Sequence, residues 1–395
     1  MSPPDLDTAL TRRALLPAGL RDVLSPDAAH EAATVEQLVA CFARCGYERV
    51  KPPLIEFEDS LFSGPGVAMT ERTFRLMDPV SQRMMGVRAD VTVQVARIAA
   101  TRLAHVPRPL RLCYSGEVLR VTPGDLIPER ELVQVGAELV GADTVEADAE
   151  VILLAVDALR RAGVLCMSVD ITAPRLVPEL LAIIGGGLTD SAELRQAIDR
   201  KDAAGVERHG GLIANLLAGL MGSAGMRAEG MARLLALDLP QPVRRVVDRL
   251  DEVAALVATE EPDLVVTIDP VENRGFEYYT GLGFSLFSQG VRGELGRGGR
   301  YQVDDLDKEG SCGFTLYVET VIRAISAPPT VARVFVPHGT ARSLACNLRE
   351  EGWITVAGLA PETDDAVAAK RLGCNHVLVC GVVKTVEDIG ASEQS

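Results

Sequence analysis

The chain has 395 residues, 47% hydrophobic and 24% charged, with a formal net charge of −15. That length suits two to three domains and a sizeable core without cross-links. The excess of acidic over basic residues argues against a broad nucleic-acid footprint, which needs a basic face.

Ser25-Pro26-Asp27 predicts a helix start, with Ser25 as N-cap and Pro26 in the first turn. Val35, Leu38, Val39 and Phe42 recur at helical spacing until Gly46. Pro52 and Pro53 hold Val50–Ile55 extended, and Ser63–Thr73 reads as a polar loop. From Leu110 to Val140 the period changes to two. On the strand Glu131–Val140, one face carries Leu132, Gln134, Gly136 and Glu138, and the other Val133, Val135, Ala137 and Leu139. A polar, glycine-bearing face on an otherwise apolar strand suggests the floor of a small-ligand pocket. Asp143 and Glu146 form a capping-box pattern for a helix carrying Val151, Ile152, Ala155, Ala158 and Leu159.

Residues of about 175–262 are helical by periodicity; β pattern returns at Leu264–Asp269 and Phe276–Phe287, before a glycine-rich turn at Gly293–Gly299. A sheet interrupted by helices predicts an α+β domain over residues 1–326, and the linker Ala327–Thr330 leads to a small α/β unit over 331–395. The eight cysteines lack zinc-ribbon spacing and the five histidines are scattered, so mostly buried, reduced thiols and no metal site are expected. With no signal-like opening and no 18-residue apolar span, a cytoplasmic, membrane-free address is expected.

Three segments together resemble the histidyl-tRNA synthetase catalytic core. The first is Gly19–Leu24 with Gly46-Tyr47 and Pro52–Glu56. The second runs from Arg88–Thr92 through Pro109–Gly116 and Arg120 to Gln134–Glu138. The third is Arg274-Gly275-Phe276-Glu277-Tyr278-Tyr279-Thr280-Gly281 with Gly298–Tyr301 downstream. The resemblance implies a class II synthetase-like antiparallel sheet flanked by helices. It also implies a histidine site: Asp90, Thr92 and Gln134 for the ammonium, Glu138 and Tyr279 for the imidazole, Arg274 for the carboxylate, with Tyr278 in the same string. Arg120 and Tyr301 are expected to line that pocket. Gln134 and Glu138 are four residues apart on one face, about 13 Å at strand rise, a span suited to the two ends of one amino acid. Gly281 and Gly283, read on the same face as Tyr279, leave room for a ligand.

The nucleotide half of that family's pattern is missing. Thr122 stands where the resemblance expects a glutamate, Pro123–Pro128 replaces a basic loop, and Thr320 stands in place of an arginine. Tyr317 fills a position that the family keeps as glycine. A triphosphate needs cations that threonine does not offer. Retention of the amino-acid half with loss of the other resembles the regulatory subunit of ATP phosphoribosyltransferase. That resemblance implies no catalytic residues, no cofactor, and histidine as effector. It implies a short-form catalytic subunit as partner, with homodimers inside a hetero-octamer, and argues against tRNA as a ligand. The rival readings are a genuine histidyl-tRNA synthetase, a histidine or tRNA sensor with another client, and a free-standing amino-acid ligase. Taken alone, Gln134 and Glu138 also suit a solvated strand face.

Overall fold

The computed structural model describes residues 15–122, 129–184, 191–273, 279–303, 309–326 and 331–387. The chain divides into two units, Met1–Ser326 and Ala327–Ser395.

The first unit opens with helix α1 (Asp27–Arg44), whose Leu38, Val39, Cys41 and Phe42 are buried as their spacing predicts. Strands β1 (Glu48–Arg49) and β2 (Ile55–Phe57) follow the helix, then the short α2 (Glu58–Leu61). After it come β3 (Phe74–Met77), β4 (Met84–Val87) and α3 (Thr92–Thr101). The long pair β5 (Leu110–Leu119) and β6 (Glu131–Val140) precedes α4 (Val145–Ala162) and β7 (Met167–Thr172). The helical insertion holds α5 (Leu176–Ile184), α6 (Ala192–Asp199), α7 (Ala203–His209) and α8 (Ala214–Met221). It continues with β8 (Gly225–Met226), α9 (Arg227–Leu235) and α10 (Gln241–Glu260). The sheet then resumes with β9 (Val265–Asp269), β10 (Tyr279–Ser288), β11 (Gly296–Gln302) and β12 (Gly310–Tyr317), and α11 (Val318–Ala324) ends the unit.

Among the described residues, nine strands form one sheet in the order β1-β5-β6-β12-β11-β10-β7-β9-β8. The fold is α+β as expected, but the sheet is mixed rather than antiparallel. β1 runs parallel to β5, and β7 parallel to β9. The second pairing follows from the insertion, because only a long crossover connection joins parallel neighbours. Strands β2, β4 and β3 make a separate small sheet.

One face of the large sheet packs on α1, α4 and α10 as a single hydrophobic core. Phe42 of α1 meets Phe314 of β12 edge-on, with ring centroids 5.4 Å apart. The α4 stripe Val151, Ile152, Ala155, Ala158 and Leu159 is buried in it, and Gly163 ends the helix in the left-handed conformation at φ 101°. Asp148 of α4 is buried beneath two arginines: Arg300 of β11 gives it two bonds, at 3.0 and 2.7 Å, and Arg249 of α10 holds its other oxygen at 2.8 Å. This network ties sheet, α4 and insertion together.

Several local expectations change. The α1 N-cap is Pro26, with no side-chain cap, because the helix starts one residue later than Ser25 would require. At α4 the Thr144 hydroxyl, not Asp143, accepts from the Ala147 N–H at 3.2 Å. Ser63–Thr73 contains a 3-10 helix, Gly64–Arg72. Gly296, Gly298 and Gly299 belong to β11, because the turn into that strand ends earlier. Cys41, Cys113, Cys312 and Cys374 are buried, whereas Cys45, Cys166 and Cys380 are exposed, so burial covers fewer thiols than expected; all eight are free.

The second unit has β13 (Arg333–Val336), α12 (Arg342–Glu350), β14 (Ile354–Ala357), α13 (Asp365–Arg371), β15 (His376–Val379) and β16 (Val382–Thr385). Its sheet runs β14-β13-β15-β16 with β16 antiparallel at the edge. Phe335 and Val377 pack with α13, while Val334 and Val336 pack with Leu348 of α12. Among the described residues no helix is long and apolar enough to cross a membrane.

Candidate functional site

The face of the sheet turned away from α1 and α4 has the polar character that the β6 alternation predicted. Leu132, Val140, Leu110, Leu112 and Tyr114 form an apolar cluster there with Tyr279 and Tyr301. Gln134 and Glu138, 0% and 1% exposed, stand within this cover. Burial this deep removes the solvated-face reading, since groups that cannot reach water must find partners in the protein or in a ligand.

Each leaves one atom without a partner. Gln134 accepts the Val91 N–H through Oε1 at 3.0 Å, and its Nε2 is buried and unbonded. The donating Val91 N–H fixes which end of the amide points inward. Glu138 accepts the Tyr301 hydroxyl at 2.9 Å through Oε2, while Oε1 is buried and unbonded. Burial pushes the Glu138 carboxyl up to about 8; the Tyr301 hydrogen bond and the nearby Thr92 hydroxyl oppose the rise, and the Asp90 charge adds to it.

Asp90 and Thr92 sit at the mouth of α3. Asp90 Oδ1 accepts the Thr92 N–H at 2.8 Å, so one carboxylate oxygen serves the backbone. The Thr92 hydroxyl lies 3.0 Å from the Tyr114 hydroxyl, which in turn lies 2.6 Å from Thr315 Oγ1. Tyr279 is 5% exposed, and its ring lies over Gly299, where a Cβ would come within 2.7 Å of Cδ1. Arg120 is half-buried and reaches the Ala89 carbonyl at 3.5 Å, beside Asp90. Asp90, Thr92, Gln134, Glu138, Tyr279 and Tyr301 thus share one face, with Arg120 at its border. Arg274 and Tyr278 lie outside the described residues, as do Pro123–Pro128 and Ala327–Thr330.

Gly281 does not share the face with Tyr279. The register shifts between Tyr279 and Gly283, and a Cβ on Gly281 would come within 3.0 Å of the Arg300 side chain, which points to α4. The irregularity is local, four residues of β10 spanning two of β11: Gly283 pairs with Gly299, in the row of Gly313 and Glu138, and so keeps the face of Tyr279 as expected.

Sequence reading missed three residues. Tyr114, fully buried, lies opposite Gly136, where a Cβ would come within 2.4 Å of its hydroxyl oxygen. Thr315 lies opposite the other side of Gly136. Arg297, beside Thr315 on β11, is held by Glu294 at 2.8 and 2.7 Å. The period-two pattern of β5 carried the signal for Tyr114; the other two needed the strand order. At the end of the face, Tyr317 is 7% exposed and pairs with Gln134, so an aromatic ring fills that row. Thr320 is fully buried in α11, its hydroxyl engaged by Arg323 at 3.1 Å.

The fold and this face define a class II synthetase-like protein. A family model described as histidyl-tRNA synthetase matches residues 19–321. A protein from Bacillus halodurans, solved as an ATP phosphoribosyltransferase regulatory subunit/histidyl-tRNA synthetase, superposes with a TM-score of 0.78 at 23% identity over 94% of this chain and 97% of its own. An ATP phosphoribosyltransferase complex from Thermotoga maritima contains a chain that superposes with a TM-score of 0.58 at 18% identity, over 73% of this chain and 97% of its own. The ATP phosphoribosyltransferase regulatory subunit of Rhodospirillum centenum is 52% identical over 375 residues, which are 95% of this chain and 97% of that protein. The chain belongs to the family of ATP phosphoribosyltransferase regulatory subunits: it is a regulatory, non-catalytic member of histidine biosynthesis built on a synthetase-like fold.

Proposed function

We propose that this chain binds the short-form catalytic subunit of ATP phosphoribosyltransferase, activates it, and delivers feedback inhibition when histidine occupies the polar face of the sheet. The supporting observation is the pair of buried, unbonded polar atoms, Gln134 Nε2 and Glu138 Oε1, on one strand face. A buried polar atom without a partner is costly, and a ligand that supplies one relieves the cost. The free amide atom of Gln134 is a donor, so in this reading it takes the histidine carboxylate. Asp90 and Thr92 take the ammonium. Glu138 and Tyr279 take the imidazole, and Arg274 and Tyr278 complete the carboxylate end. A site that pairs an imidazole N–H discriminates against analogues that lack it. Feedback then requires two states of the assembly that histidine binds unequally. The expected assembly is a cytoplasmic hetero-octamer containing homodimers of this chain, with tRNA excluded.

The test is phosphoribosylation of ATP by a short-form catalytic subunit from the same source, with and without this chain and with added histidine. Activity that rises with the chain and falls with histidine supports the proposal. No effect of the chain overturns it, and histidine-dependent pyrophosphate exchange into ATP would then favour the synthetase reading.

A further inference from the structure

The helical side of the sheet carries a groove of about 650 Å³, on the opposite side of the sheet from Gln134 and Glu138. It lies between α4, α10 and the turn that joins α1 to β1. Glu146, Glu150, Leu153 and Asp157 line it at helical spacing along α4, and Leu256 and Glu260 line it from α10. From Glu146 to Asp157 is three helical turns, roughly 16 Å. The floor is apolar, with Leu153 and Leu256 both half-buried.

The rim is acidic. Its lining has four carboxylates, Glu146, Glu150, Asp157 and Glu260, against one guanidinium, Arg111, a balance of −3. Arg111 is spent on Glu150, which it holds at 2.8 Å through both oxygens while the Tyr47 hydroxyl donates to the same carboxylate. Asp157 shares Arg160 with Glu261, at 3.5 Å for Asp157 and much closer for Glu261. Glu146 and Glu260 are exposed. Hydrogen bonds from its own backbone N–H and from Thr144 hold the Glu146 carboxyl below its usual range.

We infer that this groove receives a basic, apolar-faced segment of the catalytic subunit, an identification that rests on the function proposed above. An apolar floor between carboxylate rims matches an amphipathic helix whose leucine-type face is flanked by lysine or arginine. The same groove on a second copy is a poor occupant, since its rim is equally acidic.

The test reverses charge at the rim. The double variant Glu146→Lys/Glu260→Lys leaves the sheet and its polar face untouched and should bind histidine as the parent does. Its affinity for the catalytic subunit, read by sedimentation at fixed salt, should fall by about tenfold or more. Cys45, exposed at the groove's end, supplies a second reading that needs no substitution. The catalytic subunit should slow its alkylation relative to exposed Cys166 and Cys380. If the parent assembles but the variant assembles equally well, or Cys45 is not protected, the groove assignment falls while the regulatory proposal stands. If the parent does not assemble with the catalytic subunit, both fall. If the double variant instead changes the oligomeric state of the isolated chain, the groove belongs to a second copy and the inference is overturned.

Discussion

Tyr301 donates its hydroxyl to Glu138 Oε2 at 2.9 Å although β12 lies between their strands. The bond crosses that strand because Gly313 occupies the row: it pairs with Glu138 on one side and Gly299 on the other. A Cβ on Gly313 would stand 1.9 Å from Glu138 Oε2 and 2.6 Å from the Ala137 carbonyl oxygen. Gly313→Ala should therefore displace the Glu138 carboxylate and weaken histidine binding by about 1–3 kcal/mol, with overpacking costing stability of similar size. Calorimetric titration and denaturant melts check both; unchanged histidine affinity would remove Glu138 from the site.

Burial raises the Glu138 carboxyl from 4.5 to about 8. The folded state therefore binds this proton more tightly than the unfolded chain does. Its contribution to stability is complete below about pH 4.5, declines as pH rises, and is lost above about pH 8. Glu138→Gln keeps an acceptor for Tyr301 but cannot ionise. The variant should gain stability on the parent between pH 6 and 9, a tenfold difference in proton affinity being worth roughly 1.4 kcal/mol. Melts of parent and variant across that range check it; a stability difference that stays constant with pH would refute a buried, raised Glu138.

Histidine binding should show the same group. A complex in which Glu138 and the imidazole share one proton forms most readily when one of the two carries it. That window lies between the free imidazole at roughly 6.5 and Glu138 at about 8. Affinity should fall on both sides, approaching tenfold per pH unit. In Glu138→Gln the alkaline fall assigned to this carboxyl should vanish. Titrations at pH 6, 7, 8 and 9 decide it.

Asp148 tests the scaffold rather than the site. Its carboxylate is 5% exposed and neutralises Arg300, 7% exposed, together with Arg249. Asp148→Ala leaves the buried Arg300 guanidinium with only the exposed Asp143 carboxylate at 3.5 Å, which Arg249 shares, and should cost up to about 3–5 kcal/mol. Asp148→Ala with Arg300→Met removes the isolated charge and should recover part of that loss. Chemical denaturation measures both variants; equal losses would show that packing, not charge, dominates there.

The sequence by itself determined the elements and the two characters of β6. Period-two alternation placed Gln134 and Glu138 on one face and Val133, Val135, Ala137 and Leu139 on the other, because side-chain direction along a regular strand depends only on parity. Strand order set what faces what. Tyr114, Thr315 and Arg297 join the row around Gly136 only when β5, β6, β12 and β11 lie side by side. The Tyr301 bond across Gly313 and the buried Asp148 pair span 163 and 152 residues of chain. Residue spacing carries no record of such distances. The irregularity between Tyr279 and Gly283 shows the limit of parity itself: four residues of β10 span two of β11, so Gly281 leaves the alternation while Gly283 rejoins it. Which Gln134 atom is free is also a tertiary decision: the amide turns its oxygen to the Val91 N–H and so presents a donor where composition alone allows either end.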